Sequence, residues 1–462
     1  MTQKIQVQVF SINTHLRNDN KIKVSEPIYK LLNNQLQLNL SCSRNSIPVQ
    51  VVPIKERNSV MYCSDRILNE LQLPTEPFSI TVRYEPKTNM LSLGPIIAII
   101  TEIKKEKNAV SFGSIHSFCE EVARYCYKNG IFFYVFSLQH YQKNNIKGFI
   151  FQTEQWIESI VPFPQIVHNR IHHRTREKST QFQDFLADLK DNHVPIFNEQ
   201  FLNKWDVHEL LSRNEQLTPY IPETTLLTSK IVLEDALEQH GCVFIKPIHG
   251  SQGKKIFKVT IENGSFHLDY TTFTGDIEKV FDSFQSLFQA LKTRLNKQLF
   301  IVQRGLNLFT FKGRPLDFRI LCHRTNENNW TISSAVARVS SNEQFVSNIA
   351  RGGDVMKINE VLQETFDPTT SKHIRKLLYE LAIEISNVIG MSAEGLYGEL
   401  GIDLAIDQDG KPWVIEVNTK PSKNLEHDTH PRQIRPSAKA IIQSCLYFIP
   451  DSSTMRKADI SF

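Results

Sequence analysis

The chain has 462 residues, of which 40% are hydrophobic and 22% charged, and its formal net charge is +4. These values indicate a globular protein with room for two or three domains. They argue against disorder and against binding to nucleic acid or a membrane surface through net charge alone. Seven cysteines at irregular spacing, with no C-x-x-C pair, argue against a disulfide framework or a zinc knuckle.

The first 90 residues carry the sequence pattern of a small β domain. The N-terminus lacks an apolar signal segment, and no apolar run is long enough to span a membrane, so we expect a cytoplasmic protein. Runs of alternating polar and apolar residues, separated by turn-rich stretches, occur at 5–9, 36–40, 49–52 and 80–84. Either an exposed face of these strands docks a partner, or the domain is a stabilising appendage. We see no internal repeat.

From residue 91 the pattern changes to an α/β layer that extends to about residue 200. An apolar strand at Ile96–Ile100 precedes an amphipathic helix, which we expect Ser114 to cap, and a second strand runs to Phe136. This order predicts an open α/β domain. The polar segment from His168 to Arg174 has no zinc-ligand spacing and is interpreted as polar surface or as part of an acceptor cleft.

Residues 201–450 mix strands with amphipathic helices, which predicts an α+β domain. One helix is expected from Val280 to Leu291 and another around Ile374 to Leu381, because apolar residues recur there at helical spacing. A short tail, 451–462, follows this domain.

A glycine loop behind a lysine-bearing strand is the first candidate for phosphate binding. The strand Cys242–Pro247 carries Lys246 near its end and is followed by Gly250, Ser251, Gln252 and Gly253. Backbone N–H groups of such a loop can cover phosphates, while Lys246 and Lys204 can supply positive charge. Neither a Walker A nor a dinucleotide-binding motif is present. A surface turn with solvated lysines is the alternative.

A strand pair with an Asp-Gly turn near the C-terminus is the second candidate site. If Asp409 and Gly410 form the turn, Asp403 lies opposite Glu416, with Asn418 on the same face. The other face is then apolar and pairs Ile402 with Val417, Leu404 with Ile415, and Ile406 with Trp413. Facing carboxylates destabilise a strand pair, and a divalent cation removes that conflict. Oxygen ligands without His or Cys favour Mg²⁺, whereas the alternative is a hairpin with solvated acids.

Taken together, these motifs resemble the ATP-grasp superfamily, in which two α+β lobes hold ATP between them. Further motifs follow in the expected order: Gln303-Arg304-Gly305-Leu306, Asp317-Phe318-Arg319, Ala337-Arg338 and Asn348-Ile349-Ala350-Arg351. More narrowly, the chain is similar to the YheC/YheD group of endospore-coat-associated proteins, through Leu93-Gly94-Pro95, Asn169-Arg170, 395–401 and 416–422. The resemblance implies an ATP-grasp fold preceded by an open α/β pre-grasp domain and a small N-terminal β domain.

The resemblance also implies roles for individual residues. Phosphates would bind Lys204 and Lys246 beneath the loop of Gly250, Ser251, Gln252 and Gly253, and the adenine would meet Gln303, Arg304 and Leu306. One or two Mg²⁺ ions, or Mn²⁺ instead, would bind Asp403, Glu416 and Asn418. Arg319 and Arg338 would be catalytic, and the substrate would contact Asp317, Asn348 and Arg351. Gln303 stands where many relatives have a glutamate, and no side chain stands out as a general base.

The leading hypothesis is therefore an ATP- and Mg²⁺-dependent ligase connected with endospore coat formation. It would join the carboxylate of a small molecule or peptide to an amine through an acyl-phosphate. Two alternatives stay open: a phosphotransferase that acts on a hydroxyl, and a spore-coat structural or binding protein that retains an ATP site. Spore-coat proteins are the expected partners, and association with the spore coat is an alternative to a free cytoplasmic location. Nucleic acid and membranes are not expected as partners.

Overall fold

The described part of the chain divides into two compact units. The computed structural model describes residues 4–12, 20–106, 109–143, 145–250, 255–272, 275–295, 298–340, 353–423 and 433–450. The first unit contains the described residues up to 200 and from 422 onward, and the second contains those of 201–421. Among the described residues, no helix is long and apolar enough to cross a membrane.

Residues 4–93 form a closed seven-stranded barrel with two short helices. Its elements are β1 (Lys4–Ile12), β2 (Lys21–Ser25), α1 (Glu26–Leu31), β3 (Gln37–Cys42), β4 (Asn45–Ile54), β5 (Val60–Ser64), α2 (Asp65–Glu70), β6 (Phe78–Glu85) and β7 (Met90–Leu93). The strand order is β1-β5-β2-β4-β3-β7-β6, and β6 closes the barrel by pairing with β1. The prediction of a β-rich N-terminal region is confirmed.

The barrel contains an internal two-fold pattern of strand connections, which no repeat in the sequence accompanies. The series β1-β2-α1-β3 and β4-β5-α2-β6 have the same connectivity. The third strand of each half pairs antiparallel with the first strand of the other half, and the first strand of each half pairs in parallel with the second strand of the other half. A serine, Ser25 or Ser64, precedes the helix in both halves. The repeat lies in long-range strand pairing, which leaves little local signal in the sequence.

Residues 96–197 form an open α/β layer, as predicted. Its elements are β8 (Ile96–Ile100), β9 (Lys104–Glu106), β10 (Ala109–Ser111), α3 (His116–Lys128), β11 (Phe132–Phe136), β12 (Tyr141–Gln142), β13 (Asn145–Gln152), β14 (Gln155–Val161), β15 (Ile166–Asn169), α4 (Arg174–Glu177), α5 (Thr180–Asp191) and β16 (Ile196–Phe197). The main sheet has the order β12-β13-β11-β8-β15-β16. Ser114 does not cap α3, because it lies in the 3-10 turn Gly113–Ile115 and Ile115 is the N-cap residue.

The barrel and the α/β layer share one hydrophobic core. The rings of Phe78 and Phe132 meet edge to face at a centroid distance of 5.7 Å. The backbone N–H of Thr81 donates to the carbonyl of Gly130 at 2.7 Å. A closed sheet that shares its core with the next layer favours a stabilising role for residues 1–90, and the docking role stays a prediction.

The second unit is built on two sheets. Its elements are α6 (Lys204–Ser212), β17 (Thr224–Leu226), α7 (Lys230–His240), β18 (Cys242–Pro247), β19 (Phe257–Glu262), β20 (Ser265–Thr272), β21 (Gly275–Phe281), α8 (Phe284–Leu295), β22 (Phe300–Arg304), β23 (Thr310–Phe311), β24 (Arg314–Arg324), β25 (Trp330–Val339), β26 (Asp354–Lys357), α9 (Ile358–Thr365), α10 (Pro368–Ser392), β27 (Glu399–Ile406) and β28 (Pro412–Asn418). One sheet has the order β17-β22-β18-β19-β20-β21 and the other β26-β25-β24-β27-β28. Each sheet has its own hydrophobic core. The helix expected from Val280 starts only at Phe284, because Val280 and Phe281 belong to β21.

The last described helix, α11 (Pro436–Phe448), belongs to the first unit rather than to the α+β domain expected to run to residue 450. Just before α11, the guanidinium of Arg435 pairs with the Glu121 carboxylate at 2.8 Å. At the end of α11, the Phe448 ring packs edge to face on Phe197 at 5.4 Å. The chain therefore leaves the first unit after residue 200 and returns to it for its last described helix.

Candidate functional site

The hairpin of β27 and β28 brings the two predicted carboxylates opposite each other. Asp403 pairs with Glu416, and Ile402 pairs with Val417, as expected. Between Asp403 and the turn the predicted register is wrong, because Leu404 pairs with Val414 rather than with Ile415, and Ile406 pairs with Pro412 rather than with Trp413.

Two irregularities of the hairpin cancel each other. The backbone carbonyl of Asp407 accepts from the N–H of Gly410, and the N–H of Asp407 donates to the carbonyl of Lys411, so the strands are joined by a three-residue loop. Within this loop Gly410 adopts a positive φ of 79°. This turn shifts the register by one residue. A bulge beside Asp403 then shifts it back, leaving Ile415 as the extra residue of β28. The facing carboxylates were therefore predicted correctly from a turn that the chain does not form.

A buried network of arginines and carboxylates surrounds Asp403. Arg319, its cross-strand neighbour on β24, binds it through two nitrogens, with Nη2 to Oδ2 at 2.8 Å. Arg338 lies 3.1 Å from the same carboxylate and binds Asp317 through two nitrogens at 2.5 and 2.6 Å. All four side chains are at most 10% exposed. Breaking such a network by removing one charge costs about 3–5 kcal/mol.

Charge pairing sets the protonation of this network. Burial alone would raise the pKa of the Asp403 carboxyl, but Arg319 and Arg338 outweigh it and hold that pKa below its usual range. Burial likewise opposes the charge on Arg338, yet Asp317 and Asp403 raise its pKa above the ordinary value. Asp403 and Arg338 are therefore both charged at neutral pH.

The predicted phosphate-binding lysines lie beside this network. Lys204, the first residue of α6, pairs with Glu416 at 2.5 Å, and its ammonium lies 3.4 Å from the carbonyl oxygen of Gly250. Asn203 and Asp206 form a capping box that fixes the start of α6. Lys246, on β18, donates to Oε1 of Gln303 at 2.6 Å. The helix and the strand thus present two cations to one region.

A cleft with an empty volume of about 470 Å³ is lined by these groups. Its polar lining consists of Lys204, His208, Thr224, Lys246, Gln303 and Glu416. Burial lowers the pKa of the Lys246 ammonium to about 8; Lys204 adds to this effect and Glu416 opposes it. Burial also lowers the pKa of His208.

The remaining predicted residues lie in different surroundings. Arg304 is exposed, and its guanidinium lies 3.4 Å from the Glu223 carboxylate. Leu306, two residues further along the chain, is partly buried. Asp317, which was predicted to bind substrate, forms a buried ion pair with Arg338. Five predicted residues lie outside the described part of the chain: Ser251, Gln252, Gly253, Asn348 and Arg351.

Two residues of the cleft were not anticipated from the sequence. Thr224 accepts a hydrogen bond from Nε2 of Gln303 at 3.0 Å, and His208 lines the cleft from α6. Neither belongs to a recognisable motif, since a threonine in a short strand and a histidine within a helix are unremarkable in a sequence. In the first unit, His168, Asn169 and Arg170 are buried whereas His172 and His173 are exposed, so the interpretation as polar surface is wrong for the first part of this segment only.

The donor set of the hairpin suits a cation such as Mg²⁺. Asp403 and Glu416 are the carboxylates of this set, and both oxygens of Asp403 also accept from Arg319, Arg338 or Asn418. Asn418 donates its amide nitrogen to Asp403 at 3.3 Å, which leaves its side-chain carbonyl oxygen for another partner. Among the described residues, no three His, Cys, Asp or Glu side chains cluster as a closed metal cage. An ion at this site would therefore complete its ligand shell with water or phosphate oxygens, as Mg²⁺ commonly does.

Comparison with known families identifies the fold of this site. A family model described as YheC/D-like ATP-grasp matches residues 193–448. The chain belongs to this family. The resemblance inferred from the sequence and the predicted ATP-grasp fold are both confirmed.

Named relatives of this YheC/D-like ATP-grasp chain come from one organism. The chain is 28% identical over 374 residues to the endospore coat-associated protein YheD of Bacillus subtilis (strain 168), covering 78% of this chain and 80% of that protein. It is 20% identical over 302 residues to the endospore coat-associated protein YheC of the same strain, covering 64% of this chain and 82% of that protein.

The comparison with solved structures matches this chain to the following two, among others. The VanG D-Ala:D-Ser ligase from Enterococcus faecalis has a TM-score of 0.46 at 12% identity and covers 77% of this chain and 100% of its own. The D-alanyl-alanine synthetase A from Vibrio cholerae O1 biovar eltor str. N16961 has a TM-score of 0.44 at 14% identity, with 77% and 98% covered.

Proposed function

We propose that this chain is a Mg²⁺-dependent ATP-grasp ligase that joins a carboxylate to an amine through an acyl-phosphate. One observation carries the proposal: two lysines and two arginines converge with the facing carboxylates Asp403 and Glu416 in the second unit. Phosphoryl transfer relies mainly on positioning and on neutralising negative charge, and this set of side chains supplies both.

The charges of the site support a requirement for a metal ion. Four cations face three carboxylates, since Asp317 joins Asp403 and Glu416, and this leaves one net positive charge. A triphosphate brings about four negative charges, so the side chains alone do not neutralise it. Mg²⁺ bound by Asp403, Glu416 and Asn418 would supply the missing positive charge.

The ion pair of Lys204 and Glu416 suits an exchange of partners. Without nucleotide, each charge neutralises the other at 2.5 Å. With Mg·ATP present, Lys204 would bind a phosphate and Glu416 would bind the metal, so neither side chain would be left with an unpaired charge. The interaction of Lys204 with the Gly250 carbonyl oxygen links this exchange to the start of the glycine loop.

The two arginines would act on the transferring group. A substrate carboxylate oxygen attacks the γ-phosphorus and ADP leaves; an amine nitrogen then attacks the acyl carbon and phosphate leaves. Arg319 and Arg338 present planar donor pairs, which fit phosphate oxygens as well as the carboxylates they now bind. Asp317 and Asp403 hold both guanidinium groups in place before the reaction, which lowers the cost of ordering them.

The names of the relatives suggest the setting of this reaction. YheD and YheC of Bacillus subtilis are called endospore coat-associated proteins. We place the present chain in endospore coat formation as well, with spore-coat proteins or small coat precursors as its partners. Its recovery with purified coat material from sporulating cells tests this placement, and its absence from that fraction contradicts it.

A screen for ADP release by the purified protein tests the proposed reaction. Amino acids, peptides and cell-wall precursors are supplied singly and in pairs, with Mg·ATP. A ligase needs a carboxylate and an amine for full turnover, a phosphotransferase needs only a hydroxyl compound, and a protein that only binds ATP releases no ADP with any of them. The Glu416→Gln variant is the control, because it keeps the size of the side chain and loses a charge that the reaction needs.

A further inference from the structure

The side-chain amide of Gln303 is held at both ends. Its Oε1 accepts from the Lys246 ammonium at 2.6 Å, and its Nε2 donates to Thr224 Oγ1 at 3.0 Å. The hydroxyl of Thr224 in turn donates to the carbonyl oxygen of Pro222 at 2.8 Å. The amide thus belongs to a chain of hydrogen bonds that ends on the backbone.

These partners leave the amide one orientation. An ammonium only donates, so the atom facing Lys246 has to be the oxygen. The hydrogen of the Thr224 hydroxyl is used by Pro222, so Thr224 accepts from the amide nitrogen. Turning the amide over would place its NH₂ against the ammonium and lose both bonds.

The strand register builds this arrangement into the sheet. Thr224 of β17 lies directly opposite Gln303 of β22. Lys246 of β18 lies opposite Ile301, which makes it the diagonal neighbour of Gln303 on the other side. All three side chains line the same cleft. Gln303 therefore meets a ligand with one fixed acceptor and one fixed donor.

We infer that Thr224 is a positioning residue that makes this site select ATP over GTP, an inference that rests on the proposed function and on the adenine contact that the resemblance implies for Gln303. The group at position 6 of a purine is a donor in adenine and an acceptor in guanine. An amide held in one orientation favours only one of these bases, whereas an amide that turns over accepts both. The fixed Oε1 keeps a lone pair for the amino group of adenine and repels the oxygen of guanine.

The proposed effect of Thr224 on base selectivity depends on having a glutamine at position 303. A glutamate at position 303 would present two acceptors, so its orientation would not affect which base binds. With a phosphate bound to Lys246, as proposed for that residue, Thr224 is the partner that still holds the amide, so loss of its hydroxyl should relax selectivity only while Gln303 is present. A purely structural role for Thr224 would instead change ATP and GTP binding equally in both backgrounds.

Calorimetry with Mg·ATP and Mg·GTP tests this dependence. In the full-length chain, Thr224→Val should reduce the ATP-to-GTP affinity ratio about fivefold, the effect of one neutral hydrogen bond. Thr224→Ser, which keeps the hydroxyl, should retain the ATP-to-GTP affinity ratio of the unaltered protein. Gln303→Glu should also retain this ratio, both alone and combined with Thr224→Val. Thr225→Val is the matched control, since Thr225 is the exposed next residue of β17.

The outcomes separate this inference from the proposed function. If the unaltered protein binds neither nucleotide, the proposed function fails. If it binds ATP but Thr224→Val changes the ratio less than about twofold, or changes it equally beside Gln303→Glu, the inference is overturned. If Thr224→Val does not fold, the Gln303→Glu variant tests the inference by itself. It should still prefer ATP to GTP, and loss of that preference would contradict the proposed contact between the residue at position 303 and the base.

Discussion

Nucleotide affinity should fall with rising pH because of Lys246. Burial, reinforced by the nearby Lys204, lowers the pKa of its ammonium from an ordinary 10.5 to about 8. Its hydrogen-bond partner Gln303 is neutral and cannot offset this effect as a carboxylate would. The charge that is proposed to bind a phosphate is therefore lost within an accessible pH range.

The size of the effect follows from the fraction of Lys246 that carries its proton. With a pKa of about 8, this fraction is roughly nine-tenths at pH 7 and one-tenth at pH 9. If only the charged form holds phosphate, ATP and ADP affinity both fall about tenfold over this interval, or about 1.4 kcal/mol. Nucleotide phosphates are already ionised above pH 7, so they contribute little to the change.

Calorimetric titrations of ADP and ATP from pH 7 to 9 measure this change. Lys246→Arg is the matched variant, because arginine stays charged throughout and should give a flat profile. Folding stability should move in the opposite direction. Folded Lys246 holds its proton less tightly than the unfolded chain, so stability rises as pH increases from about 8 towards 10.5. Weaker binding at pH 9 would thus not reflect unfolding.

A flat profile in the unaltered protein, with nucleotide binding intact, would refute the reasoning. So would an equally steep profile in Lys246→Arg, because another group would then be responsible. Lys246→Ala gives a further check, as it should weaken ATP and ADP by similar factors at pH 7 and lose the pH dependence.

Three further predictions concern the metal site, the buried network and the barrel. Glu416→Gln should stay folded and weaken Mg·ATP binding roughly tenfold or more, measured by calorimetry, because it removes one of the facing carboxylates. Arg338→Ala should cost about 3–5 kcal/mol in denaturant unfolding, since it leaves two buried carboxylates with one cation. Exposed Arg304→Ala should cost less than about 1 kcal/mol in the same assay. Gly130→Ala should cost about 1–3 kcal/mol, because Gly130 has a φ of 64° and the added Cβ would lie 2.6 Å from Thr81 Oγ1.

Each of these predictions has a result that would contradict it. Unchanged Mg·ATP affinity in folded Glu416→Gln would remove the metal assignment. Equal losses of stability in Arg338→Ala and Arg304→Ala would show that the buried network is not strongly coupled. A Gly130→Ala protein as stable as the parent would mean that the barrel and the α/β layer adjust easily at their shared core.

Local sequence was sufficient for much of the candidate site. Alternation of polar and apolar residues located β27 and β28, and it placed Asp403 and Glu416 on one face because side chains alternate along a strand. The same reasoning identified β18 with Lys246 and the helix that begins at Lys204. These features depend on residues close together in the chain, which is why periodicity and capping reveal them.

Only the tertiary structure decided which charges pair. Arg319 and Asp403 are 84 residues apart in sequence, and Arg338 shares its charge between Asp317 and Asp403 because three strands meet in one sheet. No local pattern distinguishes a catalytic arginine from one that neutralises a buried acid. The sequence therefore named the charged residues of the site, and long-range strand pairing assigned their partners.

The same limit explains Thr224, the closed barrel and the return of α11 to the first unit. Thr224 gains significance only through the strand opposite it, which carries Gln303. The barrel closes because β1 pairs with both β5 and β6, and α11 joins Glu121 through Arg435 across 314 residues of chain. Sequence periodicity determines where strands and helices form and which face is apolar. Which elements then meet depends on the burial of those faces against each other, a property of the whole fold.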